Sequence, residues 1–321
     1  MDQNIKLHIK DKTFAHCEFS NNPMPPKQFS KHITWVRDRE PSIDDWCVYT
    51  DLCLEEARPY AFKGEFLDSR GLPPGSIVVD KDDPSPDNKN IAWLIEPYDH
   101  IPHIYQWLRD NHERFAQIWT HDWELLMYGN GVNTMWKPGE PYEHRCMNKG
   151  LLIPFGGCWI DKEHQVIPKK TKDFSIIASG KMQHQGHKLR HSIIASAAGR
   201  VDTFGGGYNP IQDKIEGLRD YRYHFVIENV RRDFWFTEKL IDCFITGTIP
   251  IFWGCPSINN FFNTQGMKIF EHITDLPSLL KQCTAEEYNK MLPHIEENFE
   301  LAKNYILAED YIYSNYNKFL T

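Results

Sequence analysis

Beyond residue 173, short apolar runs alternate with stretches whose apolar positions recur at helical spacing. The runs predict strands at 174–179, 200–204, 223–228 and 248–253, and the spacing between them predicts helices near 187–198, 213–220 and 237–246. Within "FVIENVRRDFWFTEKLIDCFITGTIPIFWG", residues 225–254, an apolar strand ends in Glu228-Asn229. Thr237 then caps a helix whose buried face is Leu240, Ile241 and Phe244, and Gly247 stands where that helix should close. From residue 284 the spacing of Ile295, Phe299, Ala302 and Ile306 is again helical.

The first half is less regular. A short apolar run at 76–79 lies between Pro-rich polar loops, and "IAWLIEPYDH" predicts a strand at 91–95 closed by Glu96-Pro97. A helix over 102–113 with proline in its first turn and a strand over 115–122 follow. The polar segment 161–173 has the composition of an interdomain linker. Strand–helix–strand order on both sides of it predicts two parallel α/β halves.

Composition narrows the function classes. The chain has 321 residues, beyond the usual single-domain size, with 41% apolar residues and a formal charge of -8. That charge argues against a broad nucleic-acid-binding face but leaves room for a local cationic pocket. Eight cysteines without a CxxC pair fit buried, reduced thiols. No apolar run is long enough to span a membrane, and "MDQNIKLHIK" lacks the apolar core of a signal peptide, so a cytoplasmic protein without stable membrane insertion is expected.

Candidate chemistry gathers at the predicted carboxyl edge of the second sheet. Glu228, Asn229, Glu238 and Lys239 fall there, beside a helix start, where open α/β sheets bind ligands. Glu238 suits the helix dipole; Lys239 is disfavoured by about 0.3–1 kcal/mol unless an anion sits over the helix start. A phosphate site and a lysine paired with its neighbour both remain open. Three other signals are weaker. Asp80-Lys81-Asp82 has the D-x-D form of a divalent-metal loop, but its polar surroundings favour a solvated loop. His184, His187 and His191 flank Lys188 and Arg190, which would repel a cation. "TFGGGYNP", 203–210, is either a tight turn or a close backbone approach to a ligand.

The stretch "YHFVIENVRRDFWFTEKLIDCFITGTIPIFWGCPSINNFFN" resembles the donor-binding motif of glycosyltransferase family 10, the α-1,3/4-fucosyltransferases, with a fainter likeness back through "DFSIIAS". The resemblance implies an α/β fold of GT-B type, two Rossmann-like domains facing across a cleft. Residues 1–165 would bind a glycan acceptor and residues 166–321 a nucleotide sugar. It implies inverting transfer of L-fucose from GDP-fucose with no cofactor and no catalytic metal. In these terms Lys239 and Arg190 meet the diphosphate, with Lys188 the alternative to Arg190. Glu238 meets ribose or sugar hydroxyls, and Glu228, Asn229 and Thr237 shape the pocket. Trp235 stands where the family has tyrosine, and Ser179-Gly180 where it has Ser-Asn. Inversion needs one carboxylate base, expected at a strand end of the other domain, and Glu96 is the candidate. A different nucleotide-sugar donor, or a non-catalytic binding protein on this scaffold, are the competing readings. The ending "YIYSNYNKFLT" lacks a basic amphipathic tail, so no membrane docking is expected.

Overall fold

A computed structural model describes residues 4–11, 29–36, 45–57, 89–128, 150–197 and 199–320. The expected strand at 76–79, the Asp80-Lys81-Asp82 triplet, Cys17 and Cys146 lie outside the described residues. The chain divides into two compact units, one made of Pro154–Asn315 together with Asn22–Ser30, the other of the remaining residues.

The first unit is a six-stranded sheet in the order β2-β1-β3-β4-β5-β6. Its strands are β1 Ile5–Lys10, β2 Ile33–Val36, β3 Cys47–Thr50, β4 Asn90–Trp93, β5 Gln117–Thr120 and β6 Gly150–Leu152. Every pairing is parallel. β3, β4 and β5 are buried at every position, which is why "CVYT" and "QIWT" carry no simple polar alternation. Helix α1, Pro102–Asn111, lays Ile104, Tyr105 and Leu108 against this sheet, and α2, Trp123–Tyr128, follows β5. Residues 316–320 return to this unit: Tyr316 donates to the Leu152 carbonyl at 2.8 Å, and Gln117 donates to that of Phe319 at 2.7 Å.

The second unit carries β7 Lys172–Ile177, β8 Asp202–Phe204, β9 Tyr221–Ile227, β10 Ile249–Trp253 and β11 Lys268–Ile269. These form a parallel sheet in the order β11-β10-β9-β7-β8. Its helices are α3 Gln185–Ala197, α4 Glu238–Ile245, α5 Leu276–Gln282, α6 Ala285–Ala302 and α7 Ala308–Tyr316. Alternation along β9 sorts the core into two layers. Val226 packs with Leu240 and Phe244 of α4, while Tyr223, Phe225 and Ile227 pack with Ile193 of α3 and Ile295 of α6. The strand order reverses between β7 and β9, the topological switch point of a doubly wound sheet, where a crevice opens outside the carboxyl ends.

Two expectations change here. The helix expected over 213–220 is a 3-10 turn, Lys214–Gly217, with a capping box between Asp213 and Glu216. Ser175 of β7 donates to the Gly217 carbonyl at 2.6 Å, so the sheet takes the group a longer helix would have used. The segment 161–173 belongs to the second unit, which begins at Pro154 rather than at 166. Its Lys170 is only 6% exposed. The ammonium donates to the Leu218, Arg219 and Thr246 carbonyls and to Thr248 Oγ1 at 2.7–3.3 Å. Burial pushes Lys170 down to about 7. Those four oxygens favour the charged form, so we assign the ammonium. A run that looks like a solvated linker is therefore tied down by its own charge.

Candidate functional site

The crevice at the β7/β9 switch point contains a cavity of about 230 Å³. Its lining includes the ends of β7 (Ile177, Ala178, Ser179) and β9 (Phe225, Ile227), with Arg190 from α3 and Glu238, Lys239 and Asp242 from α4. Gly205 and Gly206 close one side. Gly205 turns through φ +103°, and a Cβ there would stand 2.2 Å from the Ala178 carbonyl oxygen. The glycine-rich stretch is thus a turn, with Tyr208 N–H on the Gly205 carbonyl at 3.0 Å, and its close approach is to the backbone of Ala178.

The start of α4 explains the unusual lysine. Thr237 is the N-cap, with its Oγ1 3.4 Å from the Lys239 N–H. Glu228, fully buried, accepts from the Thr237 N–H at 2.9 Å and from its hydroxyl at 2.9–3.0 Å. The Lys239 ammonium lies 2.8 Å from Thr237 Oγ1, 3.3 Å from Glu228 Oε2 and 3.4 Å from Glu238 Oε1. Glu228 is thus the counter-ion that fastens the end of β9 to the start of α4. Lys239, held between two carboxylates, still lines the cavity. Both sequence alternatives survive in one arrangement: the ammonium is paired, and it borders a space an anion could enter.

Arg190 is buried against the same strand end. Its Nε donates to the Ile227 carbonyl at 3.0 Å and its Nη2 to that carbonyl and to Asn229 Oδ1, the latter at 3.0 Å. Burial lowers its pKa and Glu228 and Glu238 oppose the fall, but a guanidinium stays cationic. Asn229 therefore orients Arg190 and does not itself line the cavity. Trp235 is only 3% exposed and lies outside the lining, one residue after Phe234 turns the chain through φ 58°. The structure places it in the interior, not on a stacking platform. Lys188, the alternative to Arg190, is exposed. The histidines are engaged locally: His187 Nδ1 accepts from the His184 N–H at 3.2 Å, and His191 pairs with the Tyr208 hydroxyl at 2.5 Å.

Three polar lining residues were not singled out in the sequence. Lys214, from the 3-10 turn, lies 3.2 Å from both Glu238 Oε1 and Asp242 Oδ2, with its ammonium 5.0 Å from the Trp159 ring centroid. Asp242 also accepts from the Trp159 N–H at 2.7 Å. His224 of β9 bonds Ser175 Oγ through Nδ1 at 2.7 Å. The one local signal was the D-x-x-E pattern of Asp213 and Glu216, which marks the turn carrying Lys214.

The two carboxylates one turn apart on α4 respond oppositely to this setting. Burial disfavours the Glu238 charge, but Lys239 and Lys214 outweigh it and hold the carboxyl down at about 2. Burial dominates at Asp242 and, with Glu238 adding to it against Lys214, pushes that carboxyl up from 3.8 to about 6. A raised acid binds its proton more tightly folded than unfolded, so its contribution favours the folded state below 3.8 and is lost as pH rises to about 6. Asp242→Asn is expected to remove that falling component from a denaturation series between about pH 3.8 and pH 6. An unchanged slope would sink the assignment.

A second polar cluster lies at the carboxyl edge of the first unit. Glu96, three residues past β4, is half-buried, with Oε2 2.5 Å from His100 Nδ1. Asp51, fully buried at the end of β3, accepts the Ile95 N–H at 2.9 Å and that of Glu96 at 3.3 Å. Tyr105 donates to the Glu96 carbonyl at 2.8 Å. Asp51 adopts φ 33°, in the left-handed region that costs a non-glycine residue energy, so the fold over-determines this spot. The strain and the three contacts fix the backbone that presents the Glu96 carboxylate.

Two doubly wound parallel units in one chain define the architecture of GT-B glycosyltransferases. A UDP-forming α,α-trehalose-phosphate synthase of Burkholderia vietnamiensis has this fold in common with the chain, with a TM-score of 0.50 and 10% identity over 88% of this chain and 76% of that one. In sequence the chain is similar to an α-(1,3)-fucosyltransferase of Helicobacter pylori, 33% identical over 115 residues, and to a fucosyltransferase-like protein of Arabidopsis thaliana, 29% identical over 102 residues. These matches cover 34% and 29% of this chain, and 22% and 20% of the relatives' own length. No family model matches. The likeness to fucosyltransferases thus extends over about a third of the chain.

Proposed function

We propose that this chain is an inverting, metal-independent fucosyltransferase that moves L-fucose from GDP-fucose to a hydroxyl of a glycan. The observation that carries the reading is the cavity at the β7/β9 switch point, bordered by Lys239 at a helix start and by Arg190. Two of the guanidinium's nitrogens are committed to the strand end, and Nη1 has no partner among the described residues. A diphosphate over the α4 start would meet the ammonium and this open donor.

In this mechanism Glu96 takes the acceptor hydroxyl's proton as its oxygen attacks the anomeric carbon from the face opposite the diphosphate. The bond from that carbon to the phosphate oxygen breaks, and both electrons leave with GDP. A diphosphate needs no proton to depart if its charge is stabilised, and Lys239 and Arg190 supply cations for that. Glu238, ionised throughout the physiological range, suits hydroxyl recognition on ribose or sugar. Nucleotide binding falls to residues 154–315 and acceptor binding to the first unit.

The six described cysteines are buried, and a reducing, cytoplasmic compartment is part of this proposal. Among the described residues no helix is long and apolar enough to cross a membrane.

Thermal melting with GDP, UDP, ADP and GDP-fucose, each with EDTA and with Mn²⁺, tests the donor. Ligand at about 100 times its Kd adds roughly 2.7 kcal/mol, a shift of several degrees. The expected result is a GDP-selective shift that survives EDTA. A UDP-selective, metal-dependent shift would overturn both the donor and the metal independence.

A further inference from the structure

The floor of the cavity holds a histidine whose protonation pattern is dictated by its neighbours. Ser175 has one hydroxyl proton, and the Gly217 carbonyl, 2.6 Å away, can only accept it. Ser175 Oγ must therefore accept at its other contact, so His224 Nδ1, 2.7 Å away, carries a proton and donates. A neutral ring protonated at Nδ1 keeps a bare lone pair on Nε2. The ring's other hydrogen-bonding neighbour is the Gly217 carbonyl, which also holds Ser175 Oγ, and Nε2 is not among the buried unpartnered atoms of the described residues. It belongs to a ring that lines the cavity.

The surroundings keep the ring neutral. Burial first, and the nearby Lys214 charge second, push its pKa down to about 3. At any physiological pH Nε2 is thus an acceptor, unsuited to a phosphate, whose oxygens are acceptors too. Lys214 beside the ring is committed to Glu238 and Asp242, and the open guanidinium lies farther off: Arg190 grips the Ile227 carbonyl, three residues along β9 from His224, or about 10 Å at the rise of a strand. One end favours an anion and the other an O–H or N–H donor. At about 230 Å³ the cavity falls below the roughly 300–1,000 Å³ of whole-ligand pockets, enough for part of a nucleotide sugar.

We propose that His224 is a specificity-determining residue of the donor site, accepting through Nε2 a hydrogen bond from a ribose hydroxyl or a base N–H of the nucleoside while the diphosphate lies toward Arg190 and Lys239. The inference rests on the nucleotide-binding reading above. Ser175 is its positioning residue, because it holds the tautomer.

The test is titration calorimetry of wild type, His224→Leu and His224→Gln with GDP, 2′,3′-dideoxy-GDP and purine-riboside diphosphate, whose base has no N–H. His224→Leu is expected to weaken GDP by about 10- to 100-fold, with His224→Gln recovering part of the loss through its side-chain oxygen. The analogue that lacks the contacted group should bind wild type and His224→Leu equally. Loss confined to GDP and the purine riboside assigns ribose, and loss confined to GDP and the dideoxy nucleotide assigns the base. Equal GDP affinity in wild type and His224→Leu overturns the inference, as do equal losses on all three nucleotides. If His224→Leu does not fold, Ser175→Ala keeps the volume and frees the tautomer. It should weaken GDP in the same pattern, and unchanged binding would be equally fatal. Wild type that binds no GDP would instead overturn the nucleotide reading itself.

Discussion

Glu96→Gln is expected to lower kcat by about 10²–10⁴-fold, the usual contribution of a positioned general base. The amide has nearly the shape of the carboxylate and can still meet His100, 2.5 Å away in the parent protein, but it cannot take a proton. The donor site is built from other elements, so affinity for GDP should be unchanged, and the melting temperature should move little at a half-buried position. Transfer from labelled GDP-fucose to a glycan array gives the rate, and calorimetry gives the binding. A variant that keeps its kcat would remove Glu96 from the mechanism. Loss of GDP binding along with activity would show that the substitution acts through the fold.

Gly186→Ala should strike the second unit. A Cβ at Gly186 would stand 1.7 Å from the Glu228 carbonyl oxygen, 2.8 Å from its carbon and 3.0 Å from the Asn229 oxygen. All three atoms are backbone, so no rotamer relieves the clash. The start of α3 must move off the end of β9, breaking the Gly186 N–H bond to Asn229, which is 2.9 Å long. That shift also drags Arg190 from the Ile227 carbonyl. Overpacking of this kind costs about 1–3 kcal/mol and occasionally more. Each kcal/mol lowers the melting temperature by roughly 2–4 °C for a chain of this size. GDP binding should weaken with it, since the Arg190 anchor goes. A variant with unaltered melting and binding would mean that α3 and β9 are less tightly coupled than their hydrogen bonds indicate.

Much of the second unit was legible because its signals are local. Four strands and three helices fall where apolar runs and helical spacing put them, and Thr237 caps α4 as its position demands. The neighbourhood of Glu228, Lys239 and Arg190 was readable from the motif. Less was readable in the first unit. β2 and β3 have only four residues each, too few to establish a period. Asp51 is invisible to pattern analysis, since its partners at Ile95 and Glu96 are 44 and 45 residues away.

By itself the sequence determined the alternation of strand and helix, the carboxyl edge on which Glu228, Glu238 and Lys239 stand, and the strand end that carries Glu96. These follow from chemistry within one or two turns of chain, where spacing decides which face a residue occupies. Only the tertiary structure decided which charges meet. It brought Lys214 to Glu238 and Asp242, joined His224 to Ser175, buried Trp235 and gave the Lys170 ammonium four oxygens. Such pairs depend on strand order and on how burial strengthens an electrostatic contact, and neither quantity is written in local spacing.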